Sequence, residues 1–110
     1  MRHSTTAGLM MAMSFGGALA ASPQISPDRQ NELVHLVRQD CGSCHGLQLR
    51  GGLGPALTPE MLRDKPVESL VSTILHGRPG TPMPPWNTFL SESEATWIVH
   101  GLQEGFPDAR

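Results

Sequence analysis

The chain has 110 residues, with eight Lys or Arg residues, ten Asp or Glu residues and a formal net charge of −2. A chain of this length forms one domain, and its acidic balance argues against the basic face that nucleic-acid-binding proteins carry. Only 5% of the residues are aromatic, and a domain this small gains little stability from an apolar core alone. We therefore expect a metal, a disulfide or a cofactor to complete the interior.

The first 20 residues resemble a secretory signal peptide. A short basic start precedes a run of apolar and small residues, and Ala18-Leu19-Ala20 fits the small-x-small pattern found before a cleavage site. The run is interrupted by glycines and is short for a membrane span, which takes about 20 apolar residues. We predict export with cleavage near Ala20, no stable membrane anchor, and a short tail over residues 21–25. An uncleaved anchor is the alternative.

The first predicted helix begins at Ser26, which can cap it, and continues with Pro27, which suits the first helical position. Apolar residues at helical spacing carry this helix to Cys41. Residues 46–57 are glycine-rich and cannot hold a regular element. A loop of this length usually has a function or encloses something.

Further helical segments are predicted in the second half of the chain, where no alternating strand pattern is present. Thr58 begins a single turn, and Pro66 begins a longer helix that Gly77 ends. The last helix begins at Ser91, which forms a capping box with Glu94. The pattern therefore predicts three or four helices joined by long glycine- and proline-rich loops.

Residues 40–46, Asp-Cys-Gly-Ser-Cys-His-Gly, bring two thiols and an imidazole close together. A structural zinc site needs four ligands, usually as two pairs, and no second pair exists. A redox dithiol is typical of a helix N-terminus near a βαβ pattern, whereas this pair follows a predicted helix. A small structural disulfide is a further alternative.

Cys-x-x-Cys-His is also the signature of covalent haem c attachment. In that chemistry Cys41 and Cys44 add to two vinyl groups on one edge of the macrocycle, and His45 is held at the iron as the proximal ligand. Gly42 and Ser43 are small enough for the tight turn between the thiols. We favour this interpretation, with one haem c in the chain.

A second axial ligand is predicted at Met83, in a proline-rich loop over residues 78–86. Methionine opposite histidine is the ligand pair of electron-carrying cytochromes, and it raises the reduction potential. The prolines stiffen the loop and keep the sulfur in place when the iron changes charge. Met61 and His76 are the alternative ligands, and we expect Met61 to lie in the core instead.

Three motifs, Cys-Gly-Ser-Cys-His, Gly-Leu-Gly-Pro-Ala-Leu and Gly-Thr-Pro-Met-Pro-Pro-Trp, lie between two terminal helices and resemble those of class I c-type cytochromes. The resemblance implies an all-α fold in which three to four helices surround one covalently attached haem. It places this domain over residues 26–106, with a tail over residues 107–110. It also implies that the terminal helices pack together, and that the Pro55 carbonyl accepts the Nδ1 proton of His45 and so orients the ring.

Other side chains are expected to surround the haem. Arg50, Arg78 and the Trp86 indole are candidate partners for the haem propionates, which are anions that need donors when buried. A solvated surface charge is the alternative role for each arginine. The expected apolar wall around the ring consists of Leu57, Leu62, Leu70, Ile74 and Leu75.

The Gly-Gly-Leu-Gly-Pro and Gly-x-Pro-Met-Pro segments more narrowly resemble the small NirC-type cytochromes. These are periplasmic proteins of denitrifying bacteria, encoded with the nitrite reductase that carries haem c and haem d. The resemblance implies a periplasmic, monomeric electron carrier, not an enzyme, with that reductase as redox partner. The alternative is an accessory role in maturation of the haem d cofactor. A small peroxidase would require Met83 to be absent from the iron.

Overall fold

The computed structural model describes residues 24–106, together with Gly8, Gly16 and Gly17. The rest of the predicted signal peptide and the tail over residues 107–110 lie outside the described residues. From residue 24 to residue 106 the chain is helical and has no strand. No helix in this part is long and apolar enough to cross a membrane. The predicted all-α fold is confirmed.

The helical elements follow one another along the chain with two long loops between them. They are α1 (Pro27–Leu36), a π-helical segment (Val37–Cys41), α2 (Gly42–His45), α3 (Pro59–Leu62), α4 (Val67–His76) and α5 (Glu92–Glu104). The first three are consecutive, so one helical stretch runs from the N-terminal end of the domain to the attachment motif.

The helix ends follow the capping residues seen in the sequence. The Ser26 hydroxyl accepts a hydrogen bond from the Arg29 N–H at 3.2 Å, and the capping box between Ser91 and Glu94 is present at the start of α5. Gly77 ends α4 with a φ of 69°, a conformation that favours glycine. The predicted starts and stops at these positions are confirmed.

The attachment motif differs from the prediction in its local structure. We expected the cysteine pair to follow a regular helix, but residues Val37–Cys41 form a π-helix and residues Gly42–His45 form a further helical turn. Such π turns usually occur as short insertions in α-helices, frequently at functional sites. The chain leaves the helix only at Gly46, whose φ is 91°.

A shared core cluster joins the first and last helices. Leu33 and Val37 are fully buried and belong to the same cluster as Ile98 and Leu102 of α5. Burying one such side chain stabilises the fold by about 1.5–3 kcal/mol. Trp97 and Phe106 are partly buried and pack against this cluster, with 5.9 Å between the centroids of their rings. The expected packing of the two terminal helices is therefore present.

Met61 does not lie in the core as we expected. Its side chain is 53% exposed, whereas that of Leu62 is 6% exposed and belongs to the cluster with Leu33. α3 is a single turn, so two consecutive side chains cannot point in the same direction. The prediction for Met61 was wrong because Leu62 takes the inward position.

An ion pair connects the starts of α1 and α5. The Arg29 guanidinium contacts the Glu94 carboxylate, donates to Glu32 at 2.7 Å and donates to the Phe89 carbonyl at 3.2 Å. The pKa of Glu94 is lower than its ordinary value of 4.5, mainly because its carboxylate accepts a hydrogen bond from Arg29. One carboxylate therefore caps α5 and joins it to α1.

Replacing Glu94 with Gln removes this charge but keeps an oxygen that can cap α5. Because the pKa of Glu94 is lower in the folded state, its ionisation stabilises the fold above pH 4.5, and this contribution is lost as the pH falls further. We expect Glu94→Gln to lower the free energy of unfolding at neutral pH and to make it less sensitive to acid, as measured by urea titrations. Glu92→Gln, at an exposed position of the same turn, is the control. Equal losses in the two variants would contradict the role of the pair.

Candidate haem-binding site

The His45 imidazole lies at the end of α2 and contacts the loop that follows. Its Nδ1 atom is 2.7 Å from the carbonyl oxygen of Pro55. A carbonyl oxygen only accepts hydrogen bonds, so Nδ1 carries a proton, and in the neutral ring this leaves the lone pair on Nε2. A neutral imidazole in this tautomer is a metal ligand through Nε2. The contact is the one that the family resemblance implied.

The loop between α2 and α3 folds back along α2 and presents Pro55 to the histidine. The Gly51 N–H donates to the His45 carbonyl and the Gly54 N–H donates to the Cys44 carbonyl, both at 2.8 Å. A Cβ atom at Gly54 would come within 2.8 Å of the imidazole ring. Glycine at this position is therefore a steric requirement of the histidine's orientation.

Cys41 and Cys44 are free thiols, one helical turn apart. Burial, with a smaller effect of the Asp40 charge, raises the pKa of the Cys41 thiol to about 11, so this thiol is neutral at physiological pH. Among the described residues, no three His, Cys, Asp or Glu side chains converge as a metal site would need. Neither zinc nor a disulfide is supported, and both thiols remain available for thioether bonds.

The loop that carries Met83 is closed by hydrogen bonds between its own residues. The Arg78 N–H donates to the Met83 carbonyl at 3.2 Å, and the Met83 N–H donates to the Thr81 hydroxyl at 3.3 Å. A Cβ atom at Gly77 would lie 2.7 Å from the Met83 carbonyl oxygen. The conformation of the loop therefore depends on this glycine as well as on the prolines.

The far end of the same loop is fixed to α4. The Trp86 N–H donates to the Ile74 carbonyl at 3.0 Å, and the Asn87 N–H donates to the Leu75 carbonyl at 3.2 Å. These carbonyls belong to the last helical turn and have no partner within the helix. Met83 is partly buried and lies between Arg78, which is hydrogen-bonded to it, and the end of the loop that is bonded to α4.

The candidate propionate partners lie towards the surface. Arg50 and Arg78 are exposed, and neither forms an ion pair with a carboxylate of the described residues. Trp86 is partly buried, packs against the core and has its ring centroid 5.8 Å from that of Phe89. In the described part of the chain, none of the three side chains hydrogen-bonds to another predicted site residue.

One candidate functional residue, Arg38, was not predicted from the sequence. It is only 8% exposed, and its Nε atom is buried without a hydrogen-bond partner. An arginine in a helix is ordinarily assigned to the surface, because charged residues are rarely buried. The available signal was spacing, since Val34, Arg38 and Cys41 recur at four and three residues, as side chains on one helix face do.

The donors of the attachment motif fit a covalently held haem. Such a haem needs two thiols at one edge and an imidazole nitrogen at the iron. The structure provides two free cysteines and a histidine whose tautomer leaves Nε2 available. The loops that follow the histidine and carry Met83 are both fixed by backbone hydrogen bonds to neighbouring helices.

Comparison with protein families gives a match over residues 28–100 to the family described as cytochrome c oxidase, cbb3-type, subunit III. The matched range is most of the described structure and extends from α1 into α5. It includes the attachment motif, the glycine-rich loop and the loop of Met83.

Individual relatives point to the same group of proteins. Cytochrome c55X of Pseudomonas aeruginosa is 60% identical over 99 residues, which is 88% of this chain and 83% of the relative. The structure of the c-type cytochrome NirC is similar with a TM-score of 0.73 at 63% identity, over 74% of this chain and 96% of NirC. A structure of the dihydro-heme d1 dehydrogenase NirN in complex with DHE has a TM-score of 0.60 at 37% identity, over 69% of this chain but 16% of NirN. The chain therefore belongs to the c-type cytochromes, in the family that includes cytochrome c55X and NirC.

Proposed function

We propose that this chain is a periplasmic monohaem c-type cytochrome that carries single electrons to or for a denitrification nitrite reductase. Membership in the c-type cytochromes implies a covalently bound haem c. The observation that best supports the proposal is the 2.7 Å contact between His45 Nδ1 and the Pro55 oxygen. It leaves Nε2 available to iron directly beside two free thiols.

Cys41 and Cys44 hold the haem by two thioether bonds, and His45 is the proximal ligand. The Pro55 carbonyl orients the imidazole and makes Nε2 a stronger donor. Because the three side chains belong to one continuous helical stretch, their relative positions change little when the charge of the site changes. The bound haem supplies a one-electron couple at its iron.

Met83 is the second axial ligand. The proposal is supported by the partly buried position of Met83 in a loop that closes on itself at Arg78 and is hydrogen-bonded to α4 at its far end, which limits movement of the sulfur between oxidation states. Thioether ligation raises the reduction potential. With both axial positions filled, the site has no place for peroxide or oxygen and is suited to electron transfer. The family is one of electron-transfer proteins rather than enzymes.

Arg50, Arg78 and the Trp86 indole bind the haem propionates. The exposed guanidinium groups are available as donors, and charge-assisted hydrogen bonds to carboxylates are about twice as strong as neutral ones. The apolar wall is supported by the burial of Leu62 in the core cluster and by the packing of the other four residues against that cluster. It lowers the local dielectric and disfavours the additional charge of ferric iron. Its members are Leu57, Leu62, Leu70, Ile74 and Leu75.

The signal peptide over residues 1–20, cleaved near Ala20, delivers the chain to the periplasm, where the domain over residues 26–106 acts as a monomer. The net charge is −2 and Lys65 is the one lysine of the sequence. A ring of lysines that would steer the protein towards an acidic partner is therefore absent from the sequence. Docking to the nitrite reductase depends on apolar contacts near the haem edge or on a basic partner surface.

A role in maturation of the haem d cofactor is the second candidate. It is favoured by the similarity of this chain to part of an enzyme described as dihydro-heme d1 dehydrogenase. A dehydrogenation that removes two hydrogen atoms releases two electrons and two protons, and a one-electron carrier accepts those electrons in two successive encounters. In this role the protein receives electrons during cofactor synthesis and does not deliver them to nitrite reduction.

Replacing Met83 with Leu keeps the side-chain volume but removes the sulfur. We expect the iron to bind added cyanide or carbon monoxide, because one axial position opens. We also expect the reduction potential to fall by about 59 mV or more, a tenfold change for one electron. Ligand and redox titrations measure both effects. Met61→Leu, at an exposed methionine, should change neither, and wild-type values in Met83→Leu would show that Met83 is not a ligand.

Replacing Cys41 or Cys44 with Ala removes one thioether bond. We expect each variant to carry less covalently attached haem per chain than the wild type, because attachment then depends on a single thioether bond. Extraction with acidified organic solvent, followed by quantification of haem per chain, measures the loss. Ser43→Ala, at the exposed residue between the thiols, should retain full loading. Normal covalent loading in either cysteine variant would refute the proposed attachment.

The direction of electron flow is tested by stopped-flow mixing at two salt concentrations. The reduced protein is mixed with the haem c/d nitrite reductase, and the oxidised protein with the dihydro-haem d dehydrogenase and its substrate. We expect rapid, saturable oxidation by the reductase, with a weak salt dependence because the chain lacks a lysine ring. Oxidation too slow for turnover, together with rapid reduction by the dehydrogenase, would replace the donor role with the maturation role.

A further inference from the structure

Arg38 is a buried arginine whose Nε atom has no hydrogen-bond partner among the described residues. The residue is 8% exposed. Within residues 24–106 the arginine that forms ion pairs is Arg29. A guanidinium remains protonated in proteins, and burying an unpaired charge is unfavourable. We therefore looked for a role that the Arg38 guanidinium could have at this position.

The place of Arg38 in the chain suggests such a role. It lies in the π-helical segment Val37–Cys41, three residues before the first thiol. Arg38 and Cys41 both belong to this five-residue segment, so their backbones lie within one helical turn of each other. Val37, next to Arg38, is fully buried in the core, so the segment is held in place. The backbone of Arg38 is thus fixed within one helical turn of the first thiol.

We propose that Arg38 raises the reduction potential of the haem by placing a fixed positive charge beside the edge attached at Cys41. The inference rests on the proposed attachment of haem through Cys41 and Cys44. When the redox partner supplies one electron, the net charge at the iron falls by one, and a nearby cation favours this less positive state. A buried charge is screened less by water and salt than an exposed one, so its effect extends to the iron.

Redox titrations of the purified holoprotein at low and high salt test this role. Arg38→Gln and Arg38→Met both remove the charge, and the second keeps an unbranched apolar stem, while Arg38→Lys retains the charge. We expect each neutral variant to shift the one-electron equilibrium about tenfold towards the ferric state, a fall of about 59 mV. The shift should persist at high salt because the charge is buried.

Arg63→Gln, at an exposed arginine, is the control with the same change in net charge. It should shift the potential much less than the Arg38 variants, and less still at high salt, since exposed charges are screened. The absorption spectrum of each ferric variant shows whether its axial ligands are unchanged.

The proposal would be supported if the two neutral variants have a lower potential, Arg38→Lys has a potential near that of the wild type, and the axial ligands are unchanged in all three. An unchanged potential in both neutral variants, or an equal fall in all three, would overturn it. Because the haem is held covalently, the potential is measurable in a variant of reduced stability. A wild-type protein without covalent haem would overturn the proposed attachment and this inference together, whereas a loaded wild type with an unresponsive Arg38 overturns the inference alone.

Discussion

The contact between the His45 imidazole and the Pro55 carbonyl connects the attachment motif to the rest of the protein. Without this partner the ring could rotate and carry its proton on either nitrogen. The contact requires the loop after α2 to approach the helix so closely that Gly54 has no room for a Cβ atom. Two backbone hydrogen bonds, to the carbonyls of Cys44 and His45, hold that approach. The same constraint therefore affects where α2 ends, why residue 54 of the loop is glycine and which nitrogen of His45 carries a proton.

The helices form the frame, and the loops carry Pro55, which orients His45, and Met83, the proposed second ligand. Leu33 and Val37 of the first helical stretch pack with α5, and the loop of Met83 is bonded to the last carbonyls of α4. A loop without regular structure has many conformations, and fixing them costs conformational entropy. In this protein prolines, the glycine at residue 77 and hydrogen bonds to a helix end reduce that cost. The arrangement suits the proposed electron-transfer role, in which the geometry of the site stays the same in both oxidation states.

Two arginines of this domain, Arg29 and Arg38, have different surroundings. At the surface, Arg29 is paired with Glu32 and Glu94 and connects the starts of two helices. In the interior, Arg38 has a buried Nε atom without a partner. Removing both members of a buried pair is often tolerated, whereas an unpaired buried charge weakens the fold. Arg38 lies in the same helical segment as Cys41, and the proposed electrostatic effect on the haem would give this buried arginine a role.

The sequence by itself determined the features that depend on local chemistry. The helix starts at Ser26 and Ser91, the stop at Gly77 and the Cys-x-x-Cys-His motif are set by neighbouring residues, because capping, backbone freedom and attachment spacing act over a few positions. The tertiary structure decided what depends on distant neighbours: the inward turn of Leu62 in place of Met61, the π-helical segment, and the burial of Arg38. These features follow from how α1, α3 and α5 share one core, and the pattern of a single helix contains no information about which surfaces its neighbours will cover. The Pro55 contact depends on both the sequence and the tertiary structure. A family motif implied it, but only the folded loop brings the Pro55 oxygen to 2.7 Å from His45 Nδ1.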